Sequence, residues 1–287
     1  MRPADYSAVD SSHATKATYL ITQTFRYEYP EPVQDLNHRL VVIPPERFGD
    51  QRRLRHQLSI PLDGVHFDSR EDEFGNVVVD VMAPRVSCAI EFLAEVSVER
   101  HAGQPNKVGR SIQDRHLLEP TRLTQPDDRI RRAAEEMAAS APWGLDLADR
   151  INDWVYQSMT YQLGATGVRT TAAEALALGF GVCQDYAHVM LATCREARLP
   201  ARYVSGHLVG QGGTHAWVEV VLPIGDGSGD AIAWAFDPTH AGRGGLGHVT
   251  IAVGRDYSDV APTSGTYQSP VAGRLTTRKS VTVTHLE

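Results

Sequence analysis

The hydrophobic periodicity of the chain changes near Pro120, and this change constrains the fold more than any other feature of the sequence. In the first patterned segment, apolar residues occupy alternate positions: Tyr19, Ile21, Phe25, Tyr27 and Tyr29. A period of two predicts a half-buried strand. Similar segments follow at Asn37–Val42, Gln57–Pro61, Val77–Val81 and Ile90–Val98. Residues 1–118 are therefore predicted to form a mostly antiparallel, β-sandwich-like domain.

After Pro120 the apolar residues recur at helical spacing. Helices are predicted at Asp127–Ala139 and Leu145–Met159, and Thr171–Leu178 opens with a capping-box pattern. A fourth helix with one buried face is predicted at Cys183–Ala197.

A run of strand-like segments follows this last helix. Strands are predicted at Ala201–Leu208, His215–Leu222 and Ala231–Phe236, and another in the tail at Ser280–His285. The predicted class is α+β. In it, residues 119–262 form a core with a helix packed on an antiparallel sheet, and residues 263–287 form a tail strand that returns to one of the sheets.

Composition narrows the possible partners. With 28 basic and 35 acidic residues the formal charge is −7, which gives no general attraction to nucleic acid or anionic lipid. We expect no membrane association, because no segment approaches the roughly 20 apolar residues of a spanning helix. The polar segment Met1 to Thr15 favours a cytoplasmic location. Three cysteines are too few for a disulfide framework or a zinc ligand set, so we expect no metal and no cofactor.

Cys183 is the cysteine whose position suggests chemistry. It lies where a turn containing Gly179 and Gly181 meets the first turn of a predicted helix. Unpaired N–H groups and the positive end of the helix dipole favour a thiolate there, and the thiolate is the form that attacks carbonyls. The alternative is that Cys183 is a small buried hydrophobic residue.

A thiolate needs a base and a group that orients the base. His215 begins one predicted strand, and Asp237 ends the next, directly before Pro238. In an antiparallel sheet the start of one strand lies beside the end of its neighbour, so both can face the helix start. Taken singly, His215 could be a surface residue and Asp237 a turn former. Together with Cys183 they predict a catalytic triad.

Other residues near these motifs are weaker candidates. His188 lies five residues after Cys183 and is expected to point away from the thiol in a structural role. His207 and His240 could rim the cleft. Core packing is expected for Trp217 and Trp154, although Trp217 could line the acyl site and the indole of Trp154 could bind an oxyanion. Backbone N–H groups at Cys183 are the preferred oxyanion donors.

Four segments carry a resemblance to a known family: Gly181–His188, Pro200–Gly206, His215–Glu219 and Asp237–Thr239. They resemble the core of the bacterial transglutaminase-like family, whose members are often described as cysteine proteases. The stretch from Tyr27 to Pro44 is similar to the β domain that precedes that core. The resemblance implies a papain-like core fold, with the nucleophile, base and orienting carboxylate at Cys183, His215 and Asp237.

The expected reaction is attack of Cys183 on an amide or peptide carbonyl, which leaves a thioester on the sulfur. Water would resolve the thioester in a protease or amidase, the favoured alternative. An amine would resolve it in a transglutaminase or amide synthase. The expected partners are a peptide, a protein or a small amide, with an amine acceptor as an option. A non-catalytic scaffold on the same fold and a metal hydrolase are the remaining alternatives.

Overall fold

A computed structural model describes residues 14–103, 106–109, 115–211 and 213–287. The first eight strands are β1 (Lys16–Glu28), β2 (Val33–Ile43), β3 (Arg47–Phe48), β4 (Gln51–Ser59), β5 (His66–Glu71), β6 (Val77–Val86), β7 (Ala89–His101) and β8 (Asn106–Val108). The helices are α1 (Asp128–Ser140), α2 (Leu145–Ser158), α3 (Ala172–Leu178), α4 (Cys183–Glu196) and α5 (Tyr257–Val260). The later strands are β9 (Thr160–Tyr161), β10 (Phe180–Gly181), β11 (Ala201–Leu208), β12 (Thr214–Pro223), β13 (Ala231–Asp237), β14 (Gly242–Arg243), β15 (His248–Gly254), β16 (Thr263–Gln268) and β17 (Arg274–Leu286).

The early strands form two sheets that pack face to face. One has the order β17-β1-β7-β4-β3 and the other the order β16-β2-β6-β5. Their facing side chains make one buried cluster, in which Phe25 and Phe92 meet Leu36, Leu40 and Val79. Burial of alternate residues on each strand produces this sandwich, as the period-two pattern predicts.

The tail returns to the sandwich by two strands, one for each sheet. β17 pairs antiparallel with β1 along nearly its whole length, and β16 pairs with β2. The sequence predicted one tail strand and left its sheet open. The tail strands close the outer edges of β1 and β2, which would otherwise expose unpaired backbone groups.

The rest of the chain forms an α+β unit around α4. A mixed-length antiparallel sheet has the order β14-β13-β12-β11-β15, and β8 also pairs with β13. On one face of this sheet α4 packs against β11 and β12, and α1, α2 and α3 cover the other side of the helix. The prediction of an α+β chain with a helix on an antiparallel sheet is confirmed.

The burial of α4 differs from its predicted pattern. We expected one buried face, but every residue from Asp185 to Arg195 is buried. The polar residues find partners inside: Arg195 donates to the hydroxyl of Thr124 and to the carbonyl of Arg255, and His188 accepts from the N–H of Tyr257. A helix enclosed on all sides holds its first residue, Cys183, in a rigid frame.

The sandwich also supports β15, the edge strand of the core sheet. The side-chain amide of Gln51 pairs with the backbone of Thr250, at 2.7 and 2.9 Å, and that of Asn76 pairs with the backbone of Val253, at 2.7 and 2.8 Å. These amides satisfy backbone groups that an edge strand leaves unpaired. The sandwich thereby fixes the strand that carries His248.

Candidate active site

The turn before α4 sets the position of Cys183. Gly179 caps the end of α3 with a φ of +71°, a conformation that suits glycine. The chain then makes the short parallel pair β9–β10, in which Gly181 is opposite Tyr161. A Cβ on Gly181 would lie 2.7 Å from the Cβ of Asp185, so this close approach requires glycine.

Asp185 ties the turn to the helix. Its Oδ2 accepts a hydrogen bond from the N–H of Val182 at 2.8 Å and another from the hydroxyl of Thr166. The first bond is the reach-back half of a capping box. Burial raises the pKa of Asp185, against the lowering effect of these donors. Cys183 is consequently held at the first helical position, and its side chain is partly exposed.

The structure brings His215 and Asp237 together. They lie near the adjacent ends of β12 and β13, and both are buried. Nε2 of His215 is 2.7 Å from Oδ2 of Asp237. This bond leaves Nδ1 as the other ring nitrogen of His215, and the nearby side chain of Cys183 contributes to the raised pKa of the ring. The structure therefore joins His215 directly to Asp237 and places Cys183 close to His215.

Two further histidines bond to the same carboxylate oxygen. Nδ1 of His240 is 2.9 Å and Nε2 of His248 is 3.0 Å from Oδ2 of Asp237. The N–H of Thr239 donates to Oδ1 at 3.0 Å. The carboxylate thus accepts from three rings and one backbone group, which fixes its orientation.

His240 is one of the two histidines that the sequence offers for the rim of the cleft, whereas His248 is not among the predicted residues. The Asp-Pro-Thr-His spacing puts His240 one turn after Asp237, which is a usable signal. His248 gave no comparable signal, because it begins a strand that lies beyond a glycine-rich loop and was not predicted.

The tautomers of both added histidines follow from their second contacts. Nδ1 of His248 accepts from the N–H of Gly245, so its Nε2 carries the proton given to Asp237. Burial lowers the pKa of His248, which keeps the ring neutral. The side chain of Gln211 bonds to Nε2 of His240 at 2.8 Å, so Nδ1 of His240 is the donor to Asp237.

The hydrogen bonds around Asp237 favour a positive charge on His215 and a negative charge on Asp237. Burial lowers the pKa of His215, but its hydrogen bonds with Asp237 and Cys183 outweigh burial and raise the pKa to about 9. Burial raises the pKa of Asp237, yet the donors His215 and His248 hold that pKa well below its usual range. His215 is therefore an imidazolium and Asp237 a carboxylate at neutral pH.

Three side chains of this hydrogen-bond network are of types that also bind metal ions. His215 Nε2, Asp237 Oδ2 and His248 Nε2 lie within 4.8 Å of one another. Both nitrogens are at hydrogen-bond distance from the oxygen, at 2.7 and 3.0 Å. Ligand atoms of a tetrahedral zinc ion would be about 3.3 Å apart, given metal–ligand bonds of about 2.0 Å. The arrangement fits a hydrogen-bond network better than a metal centre.

The remaining candidates have packing roles. Trp217 is buried and stacks on His215, with 6.1 Å between ring centroids and 27° between planes. Trp154 packs against the core around α4. His188 and His207 are both fully buried, and His207 bonds to the carbonyl of Gly213. None of the four bonds to Asp237.

The surface beside Cys183 is apolar. Tyr161 is 50% exposed and Phe180 is 41% exposed, although both are large hydrophobic residues. They belong to the β9–β10 pair that leads into α4. Burial raises the pKa of Tyr161, and the nearby sulfur of Cys183 raises it by a smaller amount. Such exposed side chains form a suitable contact surface for an apolar part of a substrate.

Oxyanion donors are available at the same place. The N–H groups of Cys183 and Gln184, at the first two positions of α4, have no intrahelical acceptor. They lie at the positive end of the helix dipole.

Within the described ranges, no helix is long and apolar enough to cross a membrane.

Comparison with known proteins finds relatives for both parts of the chain. Residues 131–236 match the model of the transglutaminase-like superfamily, and residues 19–99 match that of the bacterial transglutaminase-like N-terminal region. An uncharacterized protein of Mycobacterium leprae is 29% identical over 216 residues, which covers 68% of this chain and 74% of that protein. An uncharacterized protein of Mycobacterium tuberculosis is 28% identical over 283 residues, which covers 86% of each.

A solved structure gives the same overall fold. It is the structure of a protein from Cytophaga hutchinsonii described as a putative cysteine protease, and it superposes with a TM-score of 0.74 at 21% identity, covering 96% of this chain and 93% of that one. At this identity the likeness establishes the fold. Cys183 and His215 lie inside the matched core, and Asp237 lies one residue beyond it. The chain belongs to the bacterial transglutaminase-like family, with that family's N-terminal β region and its core.

Proposed function

We propose that the protein is a thiol enzyme that cleaves an amide or peptide bond through a thioester on Cys183. The observation that carries the proposal is the hydrogen-bonded pair of His215 and Asp237 beside Cys183, which is partly exposed at the start of α4. A scaffold has no physical need for a buried histidine held as a cation beside an accessible thiol.

The first half of the reaction uses the two charges of the network. The imidazolium of His215 stabilises the Cys183 thiolate, and the sulfur forms a bond to the carbonyl carbon. The N–H groups at the start of α4 stabilise the oxyanion that develops. The C–N bond then breaks, and the leaving nitrogen takes the proton from Nδ1 of His215. A thioester and a neutral His215 remain.

The second half returns the enzyme to its starting state. Neutral His215 takes a proton from water as the water oxygen bonds to the thioester carbon. The C–S bond breaks and the product leaves as a carboxylic acid, with the sulfur restored as thiolate and His215 as imidazolium. Asp237 stays ionised throughout and holds the ring so that Nδ1 faces the sulfur. An amine in place of water would give a new amide by the same steps.

Mass spectrometry of the intact protein tests the covalent step. The protein is incubated with a peptide library that contains glutamine, with and without a primary amine. We expect an acyl adduct that maps to Cys183. Loss of the adduct to water yields an acid product, whereas loss to the added amine yields an amide product and would favour the transferase alternative.

Two variants control this experiment. Cys183→Ala should form no adduct and show no turnover while keeping the thermal stability of the wild type. Cys88→Ser, which removes an exposed thiol from the turn between β6 and β7, should behave as the wild type. Turnover by the Cys183→Ala variant would exclude the proposed mechanism.

A further inference from the structure

Lys279 reaches the candidate active site from the tail of the chain. It lies on β17, opposite Gln23 of β1, and so belongs to the sandwich. Its Nζ is 3.4 Å from the hydroxyl of Thr214, the residue directly before His215. The sandwich thereby contributes a cation to a site whose other groups come from the α+β unit.

Lys279 forms no ion pair with an acidic residue of the described ranges. No carboxylate in the described part of the chain is within 4.0 Å of its Nζ, whereas Arg274 on the same strand pairs with Glu28 at 2.7 Å. The contacts of Nζ are the neutral hydroxyl of Thr214 and the ring face of Phe25, whose centroid is 5.1 Å away. Both contacts compensate a desolvated cation only in part.

The pKa values of Lys279 and of the groups around it indicate which residues feel its charge. Burial lowers the pKa of Lys279 to about 8, and the sulfur of Cys183 is the group that counteracts this effect. For the buried His207, burial lowers the pKa most and the hydrogen bond to the carbonyl of Gly213 raises it. The charge of Lys279 lowers it further. Lys279 is thus a positive charge within electrostatic range of the reacting sulfur.

A half-buried cation without a counterion is costly unless an anion joins it. Asp237 is occupied by its histidines and does not serve as that anion. A substrate that reaches the sulfur can supply the anion, because Lys279 contacts Thr214, the residue directly before His215.

We propose that Lys279 binds a carboxylate of the substrate, so that the enzyme selects amides that carry a carboxylate close to the scissile bond. The proposal rests on the proposed thiol mechanism and adds its substrate class. The carboxylate can be the free C-terminus of a peptide or an acidic side chain, and both present the same group to Nζ.

A pair of alkylating reagents tests the charge without knowledge of the substrate. Iodoacetate carries a carboxylate and iodoacetamide is its neutral counterpart, so the ratio of their rates at Cys183 reports the local positive charge. Any effect of Lys279 on thiolate formation changes both rates equally and cancels in the ratio. All proteins carry Cys88→Ser, and the labelled peptide is identified by mass spectrometry at pH 6.5.

We expect Lys279→Gln to lower the iodoacetate-to-iodoacetamide ratio about threefold to tenfold, the effect of one charge at a partly exposed site. Lys279→Glu should lower it further, and Lys279→Arg should keep the wild-type ratio. Arg278→Gln is the matched control, because it removes one exposed charge from the adjacent position of β17. An unchanged ratio in Lys279→Gln, or an equal fall in Arg278→Gln, would overturn the proposal.

The alkylation rates also distinguish a failure of the Lys279 carboxylate site from a failure of the Cys183 thiol mechanism. If Cys183 reacts with both reagents as slowly as a buried thiol, the thiol mechanism fails and Lys279 loses its role with it. If Cys183 reacts rapidly and Lys279→Gln leaves the ratio unchanged, the mechanism stands and only the carboxylate site is wrong.

Two matched peptide pairs then distinguish the sources of the carboxylate. One pair ends in a free carboxylate or a carboxamide, and the other has Glu or Gln beside the acyl residue. We expect the wild type to acylate about threefold to tenfold faster with the acidic member of one pair, and Lys279→Gln to lose that preference. Equal rates within both pairs would contradict a substrate-carboxylate site.

Discussion

Nε2 of His248 lies 3.0 Å from Oδ2 of Asp237, the oxygen that also accepts a hydrogen bond from Nε2 of His215. Because both rings donate to one atom, His248 competes with His215 for the charge of the carboxylate. The two histidines come from different strands of the sheet, the edge strand β15 and the central strand β12. We therefore expect His248 to be a positioning residue that acts through Asp237.

Replacing His248 with Leu should lower kcat/KM about tenfold, since Asp237 loses one of the groups that fix its orientation. The charge left on Oδ2 should then act more strongly on His215, so the alkaline limb of the pH profile should move above its wild-type position. His248→Gln supplies an amide N–H and should restore both values in part. A fall in rate with no movement of the limb would mean that His248 only supports the fold.

The pH profile of kcat/KM should fall on its alkaline side near pH 9, where His215 loses the proton that the leaving nitrogen needs. Asp237→Asn removes the charge that raises this pKa, and burial then lowers it. We expect the limb to move below pH 8 in that variant and the rate at pH 7 to fall about a hundredfold or more. If the alkaline limb stays at its wild-type pH in Asp237→Asn, a group other than His215 controls it.

The stability of the fold should depend on pH through the same pair. The pKa of His215 is about 9 in the folded chain and 6.5 in its ordinary state, so its stabilisation is complete below pH 6.5 and is lost as the pH rises to about 9. Asp237, whose pKa is lowered, stabilises above its ordinary value of 3.8 and less as the pH falls. We expect the wild type to lose about 1–3 kcal/mol more than Asp237→Asn between pH 6 and 9.5. Urea denaturation of both proteins at the two pH values measures this difference, and equal losses would contradict it.

Replacing Gly181 with Ala should disturb the turn that positions Cys183. The added Cβ would lie 2.7 Å from the Cβ and 2.8 Å from Oδ2 of Asp185, so the capping bond to Val182 must move. We expect a loss of about 1–3 kcal/mol in the free energy of unfolding and a larger relative loss of Cys183 alkylation. Gly213→Ala is the comparison, because a Cβ there has no neighbour closer than 3.9 Å. Similar alkylation rates in both variants would mean that the turn does not control the thiol.

The sequence predicted much of the fold because its signals are local. Helices α1 to α4 lie close to their predicted bounds, and each predicted strand corresponds to an observed one, although β4, β6 and β17 extend several residues beyond the predicted segments. β5 escaped prediction because its six residues are all exposed and show no alternation. β15 escaped because its residues after His248 are all buried, so its sequence lacks the alternation that marks a half-buried strand.

The candidate site was predictable for a related reason. Cys183, His215 and Asp237 each occupy the end of an element, and the antiparallel order of β12 and β13 brings two of them together. Lys279 and His248 arrive from distant parts of the chain, and no local pattern marks them. Catalysis by the triad, the domain bounds at residues 118 and 262, and a cytoplasmic location stay predictions.

The pairing of β1 with β17 has a consequence for how the chain reaches its native state. Thr284 donates to the carbonyl of Thr18 across 266 residues of sequence. Closing so long a loop is entropically unfavourable, and contacts of this separation slow folding. Until β17 arrives, β1 is an open edge strand that can recruit a strand from another molecule. The interval before this strand docks is therefore when the folding chain is most prone to aggregate.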